Sequence, residues 1–140
     1  MIANRSVPSC SIIPELAYED VRQAVDWLCE VFGFKERLRI GDHRSQLVLG
    51  NGAVIIVKRN NEAKGSASGA HSVLVRVEDV DRHYELARER RAKILQPPED
   101  YPYGERQYVA EDLGGHRWTF SQSLADVDPS EWGGVLSELG

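Results

Sequence analysis

The amino-acid sequence predicts an α+β protein of two tandem βαβββ modules, which form a curved mixed sheet around a cleft with the helices on its convex side. Three observations lead to this prediction. A strand followed by an aspartate-capped amphipathic helix occurs twice, short strand candidates follow each helix, and a polar, glycine-rich segment separates the two copies. One βαβββ copy alone leaves a face of its sheet uncovered, so pairing two copies buries surface and creates a cleft.

The first module covers residues 10–59. An apolar strand candidate at residues 11–18 precedes Asp20, which stands where a helix cap belongs. Apolar side chains then recur at three- and four-residue spacing as far as Phe32, and Gly33 is a typical helix stop. Three strand candidates complete the module, the last two joined by a hairpin turn at 50–52: residues 34–40, 45–49 and 53–58.

The second module, residues 71–122, repeats this plan after a linker at residues 60–70. Asp79 caps its helix, and Val80, Tyr84 and Ala87 lie along one helix face. Strand candidates lie at residues 72–77, 93–96, 107–111 and 117–121, with a longer loop at 97–104. A C-terminal tail, residues 123–140, contains Trp132 in a short helix that folds onto the body or onto a partner subunit.

The two modules overlay on each other by simple counting. Asp20 matches Asp79 at an offset of 59 residues, and Gly52 matches Gly115 at an offset of 63. The additional four residues fall in the proline-containing loop of the second module, where an insertion is tolerated.

Composition excludes several classes of protein. The net charge of −5 and the pI near 5.4 disfavour nucleic-acid binding, which requires a clustered basic surface. The two cysteines form no CxxC pair, which predicts free thiols in a reducing compartment. No 18-residue apolar run or basic-then-apolar leader is present, so we expect a cytoplasmic protein without a membrane partner.

Three segments carry a resemblance to a known family. They are LAYEDVRQAVDWLCEVFGF and VLVRVEDVDRHYELARERRAKI, each a strand followed by a capped helix, and EDLGGHRWTF near the end. In this order and spacing they resemble the vicinal oxygen chelate superfamily of glyoxalases, bleomycin-resistance proteins and extradiol dioxygenases, over residues 10–122. The final segment is similar to a glyoxalase-like subgroup. The resemblance also implies a homodimer.

Metal-binding members of this superfamily carry one His, Gln or Glu ligand on each of four strands. The resemblance maps those positions onto Ile13, Ile56, Ser72 and Thr119, none of which suits a divalent ion. We therefore expect no metal and no other cofactor. Two alternatives stay open, because a bulge could turn His71 inward and His116 lies in the turn before the last strand.

Strand alternation, applied from the mapped positions, predicts which side chains line a small-molecule pocket. Arginine side chains in an apolar cavity favour a ligand with an anionic group, unless they pair with Glu15 instead. The loop that contains Tyr103 and Arg106 is either a lid over the pocket or a stiff surface connection. The predicted ligand-binding residues are Glu15, Ile56, Leu74, Arg76, Tyr103, Arg106, Arg117 and Thr119.

The favoured function is binding of a small anionic or aromatic molecule in a metal-free cavity. The alternative is a lyase, isomerase or dioxygenase of the same superfamily that acts on a small carbonyl or aromatic substrate, with Glu15 or His71 as general base. A third possibility is a scaffold protein whose cavity is filled by its own side chains. The sequence assigns no catalytic residue.

Overall fold

The computed structural model describes residues 2–59 and 71–137, which divide into two compact units. Within the described part, the first unit holds residues 2–59 and 112–116, and the second holds 71–111 and 117–137. Each unit contains a four-stranded mixed sheet with one α-helix packed against it. The α+β class with two βαβββ modules is therefore confirmed, and the predicted linker lies outside the described residues.

The first unit contains β1 (Glu15–Tyr18), α1 (Val21–Trp27), β2 (Lys35–Ile40), β3 (Arg44–Leu49) and β4 (Gly52–Lys58). Its strand order is β1-β4-β3-β2, with β1 parallel to β4 and the other pairs antiparallel. The turn predicted at residues 50–52 joins β3 to β4 as expected.

Both ends of the first helical segment follow the sequence signals. The Asp20 carboxylate accepts a hydrogen bond from the backbone N–H of Gln23, which is the capping geometry that starts a helix. Gly33 ends the segment with a φ of 86°, a conformation that glycine adopts at little cost. The helix continues beyond α1 as a π-helical turn, Leu28–Phe32, which the periodicity did not predict.

The second unit contains β5 (Ser72–Arg76), α2 (Val80–Glu89), β6 (Lys93–Tyr101), β7 (Glu105–Glu111) and β8 (Arg117–Ser123). Its strand order, β5-β8-β7-β6, repeats that of the first unit. Asp79 caps α2 by accepting from the backbone N–H of Arg82, as predicted. The core beneath α2 is aromatic, because Tyr108, Trp118 and Phe120 are fully buried there.

The loop predicted at residues 97–104 is wrong for its first five residues. Strand β6 runs through Pro97 and Pro98 and pairs with β7 as far as Tyr101, so the connection is only residues 102–104. Prolines are compatible with this position because β6 is an edge strand and its register shifts between Gln96 and Glu99.

The C-terminal tail contains a short 3₁₀ turn, Pro129–Trp132, capped by Asp128. The Trp132 ring packs edge-on against Tyr103 of the same chain, with 5.5 Å between ring centroids. Among the described residues, no helix has the length and apolar character needed to cross a membrane.

Candidate ligand-binding site

The sheet of the second unit has one face packed on α2 and one face turned away from it. The buried aromatic residues alternate along the strands with a second set, which therefore points to the opposite face. We call this opposite face the Arg76 face. Its members, from the strand register, include Leu74 and Arg76 on β5, Arg117, Thr119 and Ser121 on β8, and Glu105, Gln107 and Val109 on β7.

Aromatic rings border one end of the Arg76 face. Tyr101, which is opposite Glu105 in the register, stacks on Tyr103 with ring centroids 5.4 Å apart and an interplanar angle of 14°. Trp132 then meets Tyr103 edge-on, and 45% of its surface stays exposed. We call these three rings the aromatic cluster; offset or edge-on arrangements of this kind suit binding of a further planar ring.

A directional chain of hydrogen bonds runs from the aromatic cluster across the face. The Tyr103 hydroxyl donates to Oε1 of Gln107 over 3.4 Å, and Nε2 of Gln107 donates to Oγ of Ser121 over 3.0 Å. Ser121 in turn donates to Oε1 of Glu105 over 2.7 Å. The chain fixes these side chains and ends on a carboxylate whose Oε2 accepts no hydrogen bond within the described residues.

Two predicted arginines, Arg76 and Arg117, lie on this face. Within the described residues, the guanidinium groups of Arg76 and Arg117 make no ion pair or hydrogen bond, and both side chains are exposed. The alternative in which Glu15 pairs with these arginines is wrong, because Glu15 binds Arg44 over 2.8 Å. The guanidinium of Arg76 is therefore available to an anion.

The centre of the Arg76 face is apolar. Leu74 is opposite Thr119 in the register, and Thr119 is opposite Val109. Leu74 is 60% exposed and lies on the edge strand β5. The face thus joins apolar side chains, an arginine that makes no ion pair among the described residues, a carboxylate and stacked rings, which is the chemical make-up of a small-ligand site.

Arg106 is a predicted site residue that lies elsewhere. Strand alternation places it on the α2 side of the sheet, opposite to Glu105 and Gln107. There its guanidinium pairs with Asp81 over 2.9 Å and with Asp100 over 2.8 Å. These two carboxylates raise the pKa of Arg106 and use its hydrogen-bonding capacity, so its prediction as a neighbour of the pocket residues is wrong.

Glu15 and Ile56, which belong to the first unit, do not share a face. The register pairs Glu15 with Ile55 and Leu16 with Ile56, so the fully buried Ile56 points toward α1. The error comes from the repeat count. Phe120 is opposite Val75, the counterpart of Leu16, so Ile56 matches Phe120 at an offset of 64 rather than 63. Ile55 is therefore the counterpart of Thr119.

The residues at the family's metal-ligand positions do not fit a divalent ion. Ile13 and Ile55, like Ile56, offer only hydrocarbon, and Ser72 and Thr119 offer only hydroxyl groups. No group of three His, Cys, Asp or Glu side chains comes together within residues 2–59 and 71–137.

His71 and His116, the two alternative metal ligands, lie in different parts of the fold. His71 directly precedes β5, which pairs with β8 from Ser72 to Arg76 without a register shift. His116 belongs to the turn at residues 112–116, where its backbone N–H donates to Asp112 and its Nε2 lies 2.8 Å from the Ala17 carbonyl. His116 therefore has a structural role in this turn.

A concavity lies within the first unit, at the start of α1. Its volume is about 300 Å³. Its polar groups are largely engaged by the protein itself: Tyr18 bonds Asp112, Arg59 donates to the Gly114 carbonyl, and Asp20 caps α1. It is lined by Tyr18, Glu19, Asp20, Gln23, Arg59, Leu113 and Gly114. The Arg76 face offers more unused binding groups and is the better candidate.

Sequence reasoning missed Glu105 and Gln107 as site residues. It ended the loop at Gly104 and began the strand at Gln107, which left Glu105 unassigned, whereas β7 starts at Glu105. Extending the alternation of Tyr108 and Ala110 backward along the chain would have put both polar side chains on the Arg76 face. Their bonds to Ser121 and Tyr103 depend on strand pairing, which no local signal gives.

Comparison with known proteins adds a family to this geometry. The family model described as Glyoxalase/Bleomycin resistance protein/Dioxygenase superfamily matches residues 12–120. TioX from Micromonospora sp. ML1 is 38% identical with a TM-score of 0.68, and the match covers 85% of this chain and 100% of TioX.

Two more distant matches extend the comparison. The genomically encoded fosfomycin resistance protein FosX from Listeria monocytogenes has a TM-score of 0.67 at 13% identity, over 81% of this chain and 93% of FosX. An uncharacterized protein of Mycobacterium tuberculosis H37Rv is 23% identical over 93% of this chain and 84% of its own length.

Proposed function

The chain belongs to the glyoxalase/bleomycin resistance protein/dioxygenase superfamily, and from this premise we propose that it binds a small, planar, anionic molecule on the Arg76 face. One observation carries the proposal. An arginine without a charge partner among the described residues shares a sheet face with three aromatic rings and with apolar side chains.

Arg76 supplies the anion-binding end. Its guanidinium presents several N–H donors in a planar fork, which matches a carboxylate, phosphate or sulfonate. Because Arg76 is opposite Ser121 and Ser121 is opposite Gln107, two strand spacings separate Arg76 from Gln107. At ~4.8 Å for each spacing, a ligand about 10 Å long spans this interval.

The aromatic cluster supplies the other end. The Tyr103 hydroxyl donates a hydrogen bond to Gln107, while its ring stacks on Tyr101 and meets Trp132 edge-on. A flat ring lying across Ser121, between Arg76 and Gln107, would have Leu74 and Val109 on one side and Glu105 with the aromatic cluster on the other. Apolar burial supplies affinity, while the cation fixes orientation.

The proposal is tested by calorimetric titration of the full chain with 2-naphthoate and with its neutral analogue 2-naphthylmethanol. We expect one 2-naphthoate per chain and at least about tenfold weaker binding of the alcohol, because a charge-assisted hydrogen bond is worth about 1.5–3 kcal/mol. Arg76→Gln should remove the preference for the anion. Trp132→Ala should weaken both ligands alike.

Arg106→Gln and Arg88→Gln are the matched controls. Both remove an arginine from the second unit, but Arg106 lies on the α2 side and Arg88 is an exposed residue of α2 that pairs with Glu85. Neither should change the affinity. Equal affinity for the two naphthyl compounds, or a preference that survives Arg76→Gln, would reject the proposed site.

Glu105 favours a second candidate function, which is enzymatic. Its Oε2, without a hydrogen-bond partner in the described chain, lies on the same face as the anion-binding Arg76. A carboxylate in this setting can accept a proton from a substrate C–H or O–H bond while the arginine holds the substrate's anionic group. Turnover of small hydroxycarbonyl acids, followed by proton NMR and abolished by Glu105→Gln, would establish the enzyme.

The homodimer implied by the family resemblance stays a prediction. It is checked by light scattering of the purified chain at micromolar concentration, with a mass of one or two times 15.7 kDa as the alternatives.

A further inference from the structure

The first residues of the chain form an ordered turn against the sheet of the first unit. The Asn4 carbonyl accepts a hydrogen bond from the backbone N–H of Val7 over 3.2 Å, and the Asn4 side chain accepts from Ser6 over 3.0 Å. Pro8, the next residue, is buried. We call residues 4–8 the N-terminal turn.

Two side chains of the sheet bind consecutive backbone carbonyls of this turn. Arg37 donates to the carbonyl of Arg5 over 2.7 Å, and Nε2 of Gln46 donates to the carbonyl of Ser6 over 2.8 Å. Arg37 also donates to Oε1 of Gln46 over 2.5 Å, which fixes the orientation of the amide. The pair therefore presents two donors at the spacing of adjacent peptide groups.

Because Gln46 is buried, its amide N–H groups need an acceptor within the protein. Gln46 is only 4% exposed, and it is opposite Ile55, on the face of the first sheet that is turned away from α1. A buried amide N–H without an acceptor destabilises the fold, because it has lost its hydrogen bonds to water and gained none in the protein. Loss of the N-terminal turn would thus leave Gln46 in need of another carbonyl group or water.

We propose that Arg37 and Gln46 form a binding site for two consecutive peptide carbonyls, and that the chain fills this site with its own N-terminal turn. The turn behaves as a tethered ligand. The class of molecule that can replace it is a peptide or another compound with adjacent amide carbonyls in a turn.

Two further observations separate this site from the family core and from the Arg76 face. The N-terminal turn precedes residues 12–120, which match the family model. The register also places Val109 of the second unit at the position of Gln46, since Val109 is opposite Thr119 as Gln46 is opposite Ile55. Valine cannot donate to a carbonyl, so the second unit lacks this site.

The test uses a chain that begins at Ser9 and the synthetic peptide acetyl-IANRSVPS-amide, which reproduces residues 2–9. If the truncated chain folds, as judged by circular dichroism, it should bind one peptide. Gln46→Leu and Arg37→Met should each weaken peptide binding at least tenfold. Arg44→Met, on the same face but paired with Glu15, should leave it unchanged.

Hydrogen exchange on the full chain keeps the proposal testable if the truncated chain fails to fold. The amide of Val7 is protected by the turn, so Gln46→Leu should speed its exchange at least tenfold relative to the natural chain and to Arg44→Met. The proposal would be overturned if the folded truncated chain does not bind the peptide, or if Gln46→Leu does not change the exchange rate of the Val7 amide.

Discussion

The hydroxyl of Tyr18 donates a hydrogen bond of 2.5 Å to Oδ2 of Asp112, 94 residues further along the chain, and both residues are buried. The other oxygen of Asp112 accepts from the backbone N–H groups of Gly114 and His116. Together with the contact between His116 and the Ala17 carbonyl, this bond fastens the turn at residues 112–116 to the end of β1.

Tyr18→Phe should destabilise the fold by about 1–3 kcal/mol, because it removes the donor of a buried, charge-assisted hydrogen bond to Asp112. Urea denaturation of the variant measures the change in free energy of unfolding. Tyr84→Phe is the matched control, since the Tyr84 hydroxyl makes no hydrogen bond among the described residues; it should stay within about 0.5 kcal/mol. Equal losses in the two variants would contradict the assigned role.

Because Tyr18 and Tyr108 are buried, we expect the protein to lose stability at alkaline pH. Burial, followed by the neighbouring Asp112 carboxylate, raises the pKa of Tyr18 well above its usual value of 10.0, and burial alone raises the pKa of Tyr108. Below pH 10 both residues are protonated in the folded and unfolded chain, so their contribution is constant. Above pH 10 the unfolded chain releases protons that the folded chain keeps, so the free energy of unfolding falls.

For each tyrosine the slope above pH 10 approaches about 1.4 kcal/mol per pH unit. Urea denaturation between pH 8 and pH 11 measures this slope, and Tyr18→Phe should lower it by up to about 1.4 kcal/mol per pH unit. Tyr84→Phe is the control and should keep the slope of the natural chain. A slope unaffected by Tyr18→Phe would show that Tyr18 ionises in the folded state as readily as in the unfolded state.

Metal ions should not stabilise this protein. With hydrocarbon and hydroxyl groups at the family's ligand positions, we expect any affinity for Zn²⁺, Ni²⁺, Mn²⁺ or Fe²⁺ to be weaker than about 1 mM. At 1 mM ion, binding of that strength adds no more than about 0.4 kcal/mol to the free energy of unfolding. Thermal unfolding of a tag-free chain with each ion and with EDTA measures the shift. A stoichiometric metal lost to EDTA would contradict the expectation and favour the enzymatic candidate.

Local signals predicted the elements of the fold well. Asp20 and Asp79 were identifiable as caps because a short acidic side chain before an apolar helical period satisfies free N–H groups at the first turn. Gly33 was identifiable as a stop because glycine adopts the left-handed conformation, here with a φ of 86°, that commonly ends a helix. The prolines of β6 misled the prediction because their tolerance depends on being at a sheet edge, which is a property of the whole sheet.

The candidate site was predicted only in part, because it depends on register. Leu74, Arg76, Arg117 and Thr119 were placed correctly on one face, since alternation within a strand needs no partner. Ile56 was misplaced by a single residue in the repeat count, which reverses the face of every side chain on a strand. The contact of Tyr18 with Asp112 joins distant positions, and no spacing rule in the sequence predicts it.

Glu105 should recognise a hydrogen-bond donor on the ligand. Its Oε1 is occupied by Ser121 while Oε2 accepts no hydrogen bond in the described chain, so a hydroxyl at the far end of the naphthalene ring can donate to it. We expect 6-hydroxy-2-naphthoate to bind several-fold more tightly than 2-naphthoate, and Glu105→Gln to reduce this difference, because an amide oxygen is a weaker acceptor than a carboxylate.

Glu111→Gln is the matched control: Glu111 belongs to the same strand but pairs with Lys93 at the other end of the face. Calorimetric titration of the natural chain, Glu105→Gln and Glu111→Gln with both compounds measures the difference in affinity. A hydroxyl preference that Glu105→Gln leaves intact would mean that another acceptor receives the ligand's hydroxyl.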